Sequence, residues 1–200
     1  MSTAGSRPDL GSLPPIVPLA SREIFKGRTV HLKIDTVRMP NGVEVDLERV
    51  YHVGAAAIVP VTAEGEVLLV RQARWATGGW LLEIPAGKLD RTAEGTEAPE
   101  ICAARELEEE TGHTAGRLEP LGWIWATPGF ADEKVWLYLA TDLAQTRQTL
   151  EADEVLHLER LPLAEAVELA LSGEMHDAKS VCGVLRAARK LEKLKSLAEE

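Results

Sequence analysis

From Arg28 the chain alternates apolar and polar side chains. Val30, Leu32, Ile34 and then Val37 form one set, and Val43, Val45 and Leu47 repeat the pattern beyond Pro40-Asn41-Gly42. Alternation at period two marks half-buried strands, and Asn-Gly between two such runs marks a tight hairpin. The next two runs, Ala55 to Val61 and Val67 to Val70, are apolar at consecutive positions and joined through Glu64-Gly65. They predict a second hairpin made of strands covered on both faces. Trp80 to Gly87 then reads as a strand ending at Pro85-Ala86-Gly87.

From Pro99 the period becomes helical. Proline suits a first turn because it has no N–H to leave unpaired, and Gly112 supplies the stop. Two strands follow, over Leu118–Ala126 and Lys134–Ala140, joined by the loop Thr127 to Glu133. A short strand over Val155–Leu161 leads into a helix opened by Pro162 and closed by Gly173, and a last helix runs from Asp177 with a cationic outer face. Residues 1 to about 20, rich in Ser, Pro and Gly, predict a flexible tail. Strands and helices mixed in this way predict an α/β (α+β) fold.

The helix after Pro99 ends in Glu106, Glu108, Glu109 and Glu110, at the terminus where the backbone dipole is already negative. Each charge there costs about 0.3–1 kcal/mol, and the like pair Glu106/Glu110 adds about 0.2–0.5 kcal/mol. A local rule broken this plainly implies a compensating ligand. At 100° per residue Glu106, Glu109 and Glu110 converge while Glu108 points away, and Ala103, Ala104, Leu107 and Thr111 form the arc expected to pack on a sheet. Convergent carboxylate oxygens on a rigid helix suit a hard divalent cation, magnesium or manganese.

Composition narrows the partners. The 200 residues are 45% hydrophobic, enough for a sizeable core, and the net charge of -10 argues against nucleic acid or an anionic membrane. Metal ions standing between carboxylates and phosphates still allow a phosphorylated substrate. Cys102 and Cys182 lack metal-ligand spacing, and a small thiol within the acidic helix reads as buried and reduced, which fits a cytoplasmic location. No apolar run has membrane length, and the start lacks a signal peptide's apolar core. His31, His52, His113, His157 and His176 are dispersed without ligand spacing.

The run Arg105-Glu106-Leu107-x-Glu109-Glu110-x-Gly112 resembles the second half of the Nudix box, and Gly87 resembles its opening glycine. Between them the loop Asp90 to Thr96 looks like an insertion of about four residues, and His113 stands where the family has an aliphatic residue. The insertion leaves Glu94 and Glu97 as alternatives for the family's first glutamate. Pro128, with the leading L-E-I-P-A-G, the segment V-R-Q-x-R and the loop P-G-F-x-D-E, resembles the ADP-ribose pyrophosphatase branch of that family.

The resemblance implies an α/β/α sandwich with a mixed central sheet, preceded by antiparallel strands. It divides the chain into a tail (1–20), a β-hairpin region for dimerisation (21–53) and a hydrolase domain (54–200). It implies magnesium-dependent hydrolysis of the diphosphate of ADP-ribose, or of a related nucleoside diphosphate sugar, to AMP and ribose 5-phosphate. The alternatives are another nucleoside polyphosphate, GDP-mannose, or a non-catalytic ADP-ribose-binding module.

On this reading the carbonyl of Ala86 joins Glu106, Glu109 and Glu110 in holding two or more magnesium ions, with manganese as the substitute, and Arg105 orients the carboxylates. The family's water-activating glutamate falls on Glu154, with Glu151 and Asp153 behind it. Arg71 and Arg74 stand where they can clamp diphosphate oxygens, or pair structurally with Glu83. Phe130, beside Glu133 in the loop, either stacks on a base or fills the core. A homodimer and a nucleotide-sugar substrate are the expected partners.

Overall fold

A computed structural model describes residues 13–93, 95–150 and 154–198. The chain divides into two compact units, the first running to His52 and including Gly129–Asp132, the second comprising Val53–Pro128 and the residues from Glu133 onward.

In the first unit β1 (Val17–Lys26), β2 (His31–Arg38) and β3 (Glu44–Val50) form an antiparallel sheet in the order β1-β2-β3. β2 and β3 are the hairpin predicted from Asn-Gly. Gly42 takes the left-handed φ of 86° that its turn requires, and Asn41 Oδ1 accepts the N–H of Val43 at 3.1 Å. β1 begins at Val17, inside the stretch expected to be tail. An edge strand tolerates Pro18, whose missing N–H need not enter the ladder, and the pairing slips between Pro18 and Ala20. Arg49 ties the unit together, donating to Asp35 at 2.6 Å and to Asp132 at 2.7 Å.

The second unit follows the order β4 (Ala55–Pro60), β5 (Glu66–Arg74), β6 (Gly79–Glu83), β7 (Ala86–Lys88), β8 (Arg91–Thr92), β9 (Gly95–Thr96), α1 (Pro99–Thr111), β10 (His113–Trp125), β11 (Lys134–Gln145), β12 (Leu156–Pro162), α2 (Leu163–Ser172) and α3 (Ala178–Ala198). One sheet has the order β10-β11-β4-β7 and is mixed, since β11 and β4 are parallel; the other, β12-β5-β6, is antiparallel.

The expected second hairpin is therefore corrected. β4 and β5 touch at the Val61–Val67 bridge and then part into different sheets. Both runs are buried, so each strand takes partners on both edges: β4 lies between β11 and β7, and β5 between β12 and β6. The consecutive apolar pattern correctly signals two-sided burial, but it does not say which strands become neighbours.

β4 separates two core layers. Ala56 and Ile58 pack with Cys102, Ala103 and Leu107 of α1, whereas Ala55, Ala57 and Val59 pack with Val184 and Ala187 of α3. Leu107 is fully buried, and such a side chain contributes about 1.5–3 kcal/mol by leaving water. This helix–sheet–helix layering fixes α1 against the end of β7, where the P-A-G turn lies. The arc of α1 that packs on the sheet departs from expectation at one position: Ala104 is exposed and Cys102 is buried in its place.

Candidate active site

Helix α1 starts at Pro99 without a side-chain cap and ends at Gly112 in the left-handed conformation. Its last carbonyls are satisfied by the chain that follows β11. The N–H of Thr149 donates to Glu109 O at 3.0 Å, that of Thr146 to Gly112 O at 2.7 Å, and Gln148 Nε2 to Glu110 O at 2.6 Å. His113 Nδ1 donates to Thr111 O at 2.8 Å, so a buried imidazole where the family pattern has an aliphatic residue finds a polar partner. These donors reduce the negative end of the dipole beneath the glutamates.

The helix divides its carboxylates as the 100° spacing predicts: Glu106 and Glu110 are buried, Glu109 is half-buried and Glu108 is exposed. Glu110 lies under the P-A-G turn, its Oε2 accepting the N–H of Ala86 at 3.0 Å. Glu106 lies under the next residue, for a Cβ on Gly87 would come within 1.7 Å of Glu106 Oε1. Only glycine allows the turn to approach the helix this closely.

Arg105 gathers the neighbouring acids. Its Nη1 donates to Glu106 at 2.7 Å and to Glu109 at 3.0 Å. Its Nε and Nη2 donate to the two oxygens of Glu97 at 3.2 and 3.0 Å, and Nη2 also reaches the carbonyl of Lys88 at 3.2 Å. The extra residues of the loop fold into the small β8–β9 hairpin, which returns the chain so that Glu97 meets Arg105. Glu94, Glu151 and Asp153 lie outside the described residues.

Burial is the first cause of the high proton affinity of both inner glutamates. It pushes Glu106 up to about 7, opposed by Arg105 and assisted by Glu109 and Glu154. It pushes Glu110 up to about 8, with Glu106 adding to the rise and the Ala86 N–H opposing it. Glu154, half-buried at the approach to β12, thus belongs to the same electrostatic cluster. Burial also pushes the Cys102 thiol up to about 12, which leaves it a packing residue.

The donor set is all oxygen and carries more negative charge than Arg105 balances, which fits a hard cation. Among the described residues, no group of three or more His, Cys, Asp or Glu is gathered round a single point as a ready cluster. Glu106 and Glu109 are turned onto Arg105 and Glu110 onto Ala86.

Arg74 makes a bidentate pair with buried Glu83 at 2.8 and 2.9 Å, one of the two arrangements anticipated for it. Arg71 pairs instead with Glu159 of β12 through Nε and, at 2.9 Å, through Nη2. Phe130 is 58% exposed, so its ring does not fill a core, and it belongs to the first unit. Glu133, half-buried before β11, accepts the N–H of Ala126 on its backbone carbonyl at 3.1 Å.

Sequence reasoning missed Gln148, Lys179 and Ser180. Only Lys179 carried a signal: a cation in the first turn of α3, at the positive end of that helix dipole, breaks the same rule that singled out the glutamates.

Comparison with known proteins identifies the family. The Nudix domain pattern matches residues 50–182. The chain is 39% identical over 168 residues to the ADP-ribose pyrophosphatase of Bacillus subtilis (strain 168), covering 83% of this chain and 89% of that protein. It is 38% identical over 169 residues to the ADP-ribose pyrophosphatase of Mycobacterium tuberculosis (strain ATCC 25618 / H37Rv), covering 84% and 80% respectively. A solved structure described as an ADP compounds hydrolase superposes with a TM-score of 0.77 over 92% of this chain and 97% of its own, at 23% identity, which speaks for the fold. With the domain pattern spanning both sheets and α1, the chain belongs to the Nudix family.

Proposed function

We propose that the protein is a hydrolase that cleaves the diphosphate of ADP-ribose, or of a closely related nucleoside diphosphate sugar, to AMP and a sugar phosphate. The observation that carries the reading is the pair of buried glutamates, Glu106 and Glu110, pressed beneath Ala86-Gly87. Burying two like charges side by side is unfavourable unless cations meet them, and both named relatives are ADP-ribose pyrophosphatases.

Magnesium or manganese ions held by Glu106, Glu109, Glu110 and the Ala86 carbonyl would neutralise the diphosphate and acidify an attacking water. Glu106 and Glu109 would turn from Arg105 Nη1 to do so, while Arg105 stays anchored by Glu97. Glu154 takes the water's proton on its carboxylate; a general base of this kind contributes about 10²–10⁴-fold. Arg74, held side-on by Glu83, offers its remaining edge to the diphosphate, as guanidinium groups do to paired oxygens. Glu97 plays the part of the family's first glutamate.

The intact Arg105-Glu106-x-x-Glu109-Glu110 run favours catalysis over a module that only binds ADP-ribose. A homodimer in the cytoplasm completes the reading. Ile16, Val17, Leu19, Ile24 and Phe25 lie exposed in and beside β1, and apolar groups displayed together on one strand suit a second copy of the chain. Among the described residues no helix is long and apolar enough to cross a membrane.

Product chromatography tests the reaction. ADP-ribose, GDP-mannose, nucleoside triphosphates and dinucleoside polyphosphates are each incubated with magnesium. AMP and ribose 5-phosphate should form fastest from ADP-ribose, and absence of turnover on every diphosphate sugar would overturn the proposal.

A further inference from the structure

We infer that Lys179 sets the net charge with which Arg74 meets a bound diphosphate, acting through Glu83 as a positioning residue; the inference rests on the substrate class proposed above. Glu83 ends β6 and is 1% exposed. Its carboxylate accepts the Nε and Nη2 of Arg74 at 2.8 and 2.9 Å, and its Oε2 also accepts a hydrogen bond from Lys179 Nζ. Two cations thus share one buried carboxylate.

Lys179 is held in place from its other side. Its Nζ lies 3.0 Å from Asp177 Oδ2. The same oxygen accepts the N–H of Ser180 at 3.0 Å and the Ser180 hydroxyl. Ser180 Oγ in turn accepts the N–H of Ile84 at 2.8 Å. The start of α3 is therefore bonded directly to the residues that lead into the P-A-G turn. A lysine in that first turn opposes the helix dipole, so its placement answers to Glu83 and Asp177, not to the helix.

Charge counting gives the consequence. Arg74 and Lys179 balance Glu83 and Asp177, so the four groups are neutral together. Arg74 also feels the charge of Glu110, which places this group beside the candidate metal site. Lys179 thus offsets Asp177 as well as part of Glu83, and removing it leaves Arg74, Glu83 and Asp177 with one net negative charge beside the edge that Arg74 offers to the diphosphate.

Full-length wild type, K179M and K179R are titrated calorimetrically with α,β-methylene ADP-ribose in magnesium, the methylene bridge preventing cleavage, and initial rates on ADP-ribose are taken in parallel. K179M should bind the analogue roughly tenfold more weakly and raise KM by a similar factor with kcat changed less than about threefold; K179R should restore most of the affinity. Should K179M fail to fold, K179Q carries the same expectation. Analogue affinity and KM equal to wild type overturn the inference, as does a loss confined to kcat or to melting temperature. Lysine-dependent binding of the analogue without hydrolysis of ADP-ribose overturns the proposed reaction and leaves this inference standing. Wild type that binds no analogue overturns both.

Discussion

Glu97 holds Arg105 side-on, both carboxylate oxygens accepting from the guanidinium at 3.2 and 3.0 Å, across the foot of the β8–β9 hairpin. The pairing keeps the carboxyl of Glu97 below its usual range, the Arg105 hydrogen bond being the largest cause. It also leaves Nη1 of the same arginine to Glu106 and Glu109, so Glu97 reaches the acids proposed to hold the metal through one intermediary.

Glu97→Gln should therefore lower kcat/KM by about 10–100-fold, the range for partners that orient metal ligands, while Glu94→Gln leaves it unchanged. Steady-state rates at saturating magnesium decide between the two glutamates. Equal losses in both variants would remove the assignment to Glu97.

Gly87→Ala tests how closely the turn must approach α1. The added methyl group would lie 1.7 Å from Glu106 Oε1 and 2.1 Å from its carboxyl carbon, a clash that only movement of Glu106 or of the turn relieves. Turnover should fall at least about 100-fold, the scale of a small misplacement of a catalytic group. Melting temperature should fall by several degrees, as a local overpacking cost of about 1–3 kcal/mol implies. Activity within twofold of wild type would show that Glu106 does not need its present position.

The parts of this architecture that follow local rules were legible in the sequence. Pro99 and Gly112 bound α1, Asn41-Gly42 turns the first hairpin, and helical spacing separates buried Glu106 and Glu110 from exposed Glu108. What local rules do not encode was not legible. The divergence of β4 and β5 depends on which distant strands win each edge. The Arg71–Glu159 pair joins residues 88 apart in sequence, and Lys179 reaches Glu83 across 96; no periodicity relates such positions. The choice between Glu94 and Glu97 depends on the path of an inserted loop, which spacing alone leaves undetermined.

Glu154 should behave as a base and not as a structural acid. It raises the proton affinity of both Glu106 and Glu110 through its charge, so its replacement by glutamine relieves repulsion. Glu154→Gln is expected to lower kcat by about 10²–10⁴-fold with KM little changed, and to melt at or above the wild-type temperature. A variant that melts lower and retains kcat would assign Glu154 to folding.

The two inner glutamates also give the metal-free protein a characteristic response to pH. Burial raises Glu110 from an ordinary 4.5 to about 8 and Glu106 to about 7. Between the ordinary and the raised values the folded chain binds more protons than the unfolded chain, so the contribution of these two groups to stability is fully present below about pH 4.5 and is lost as pH rises toward 8. In EDTA the contribution of these two groups to the melting temperature should therefore decline between pH 5 and 9. Glu110→Gln, which cannot ionise, should flatten that decline and melt above wild type at pH 8 while losing nearly all turnover. On the proposed reading magnesium is held by the ionised carboxylates, so titrating it in at pH 7 should release protons, visible as a binding enthalpy that changes with the ionisation enthalpy of the buffer. No proton release, together with an unchanged melting profile in Glu110→Gln, would separate these acids from the metal.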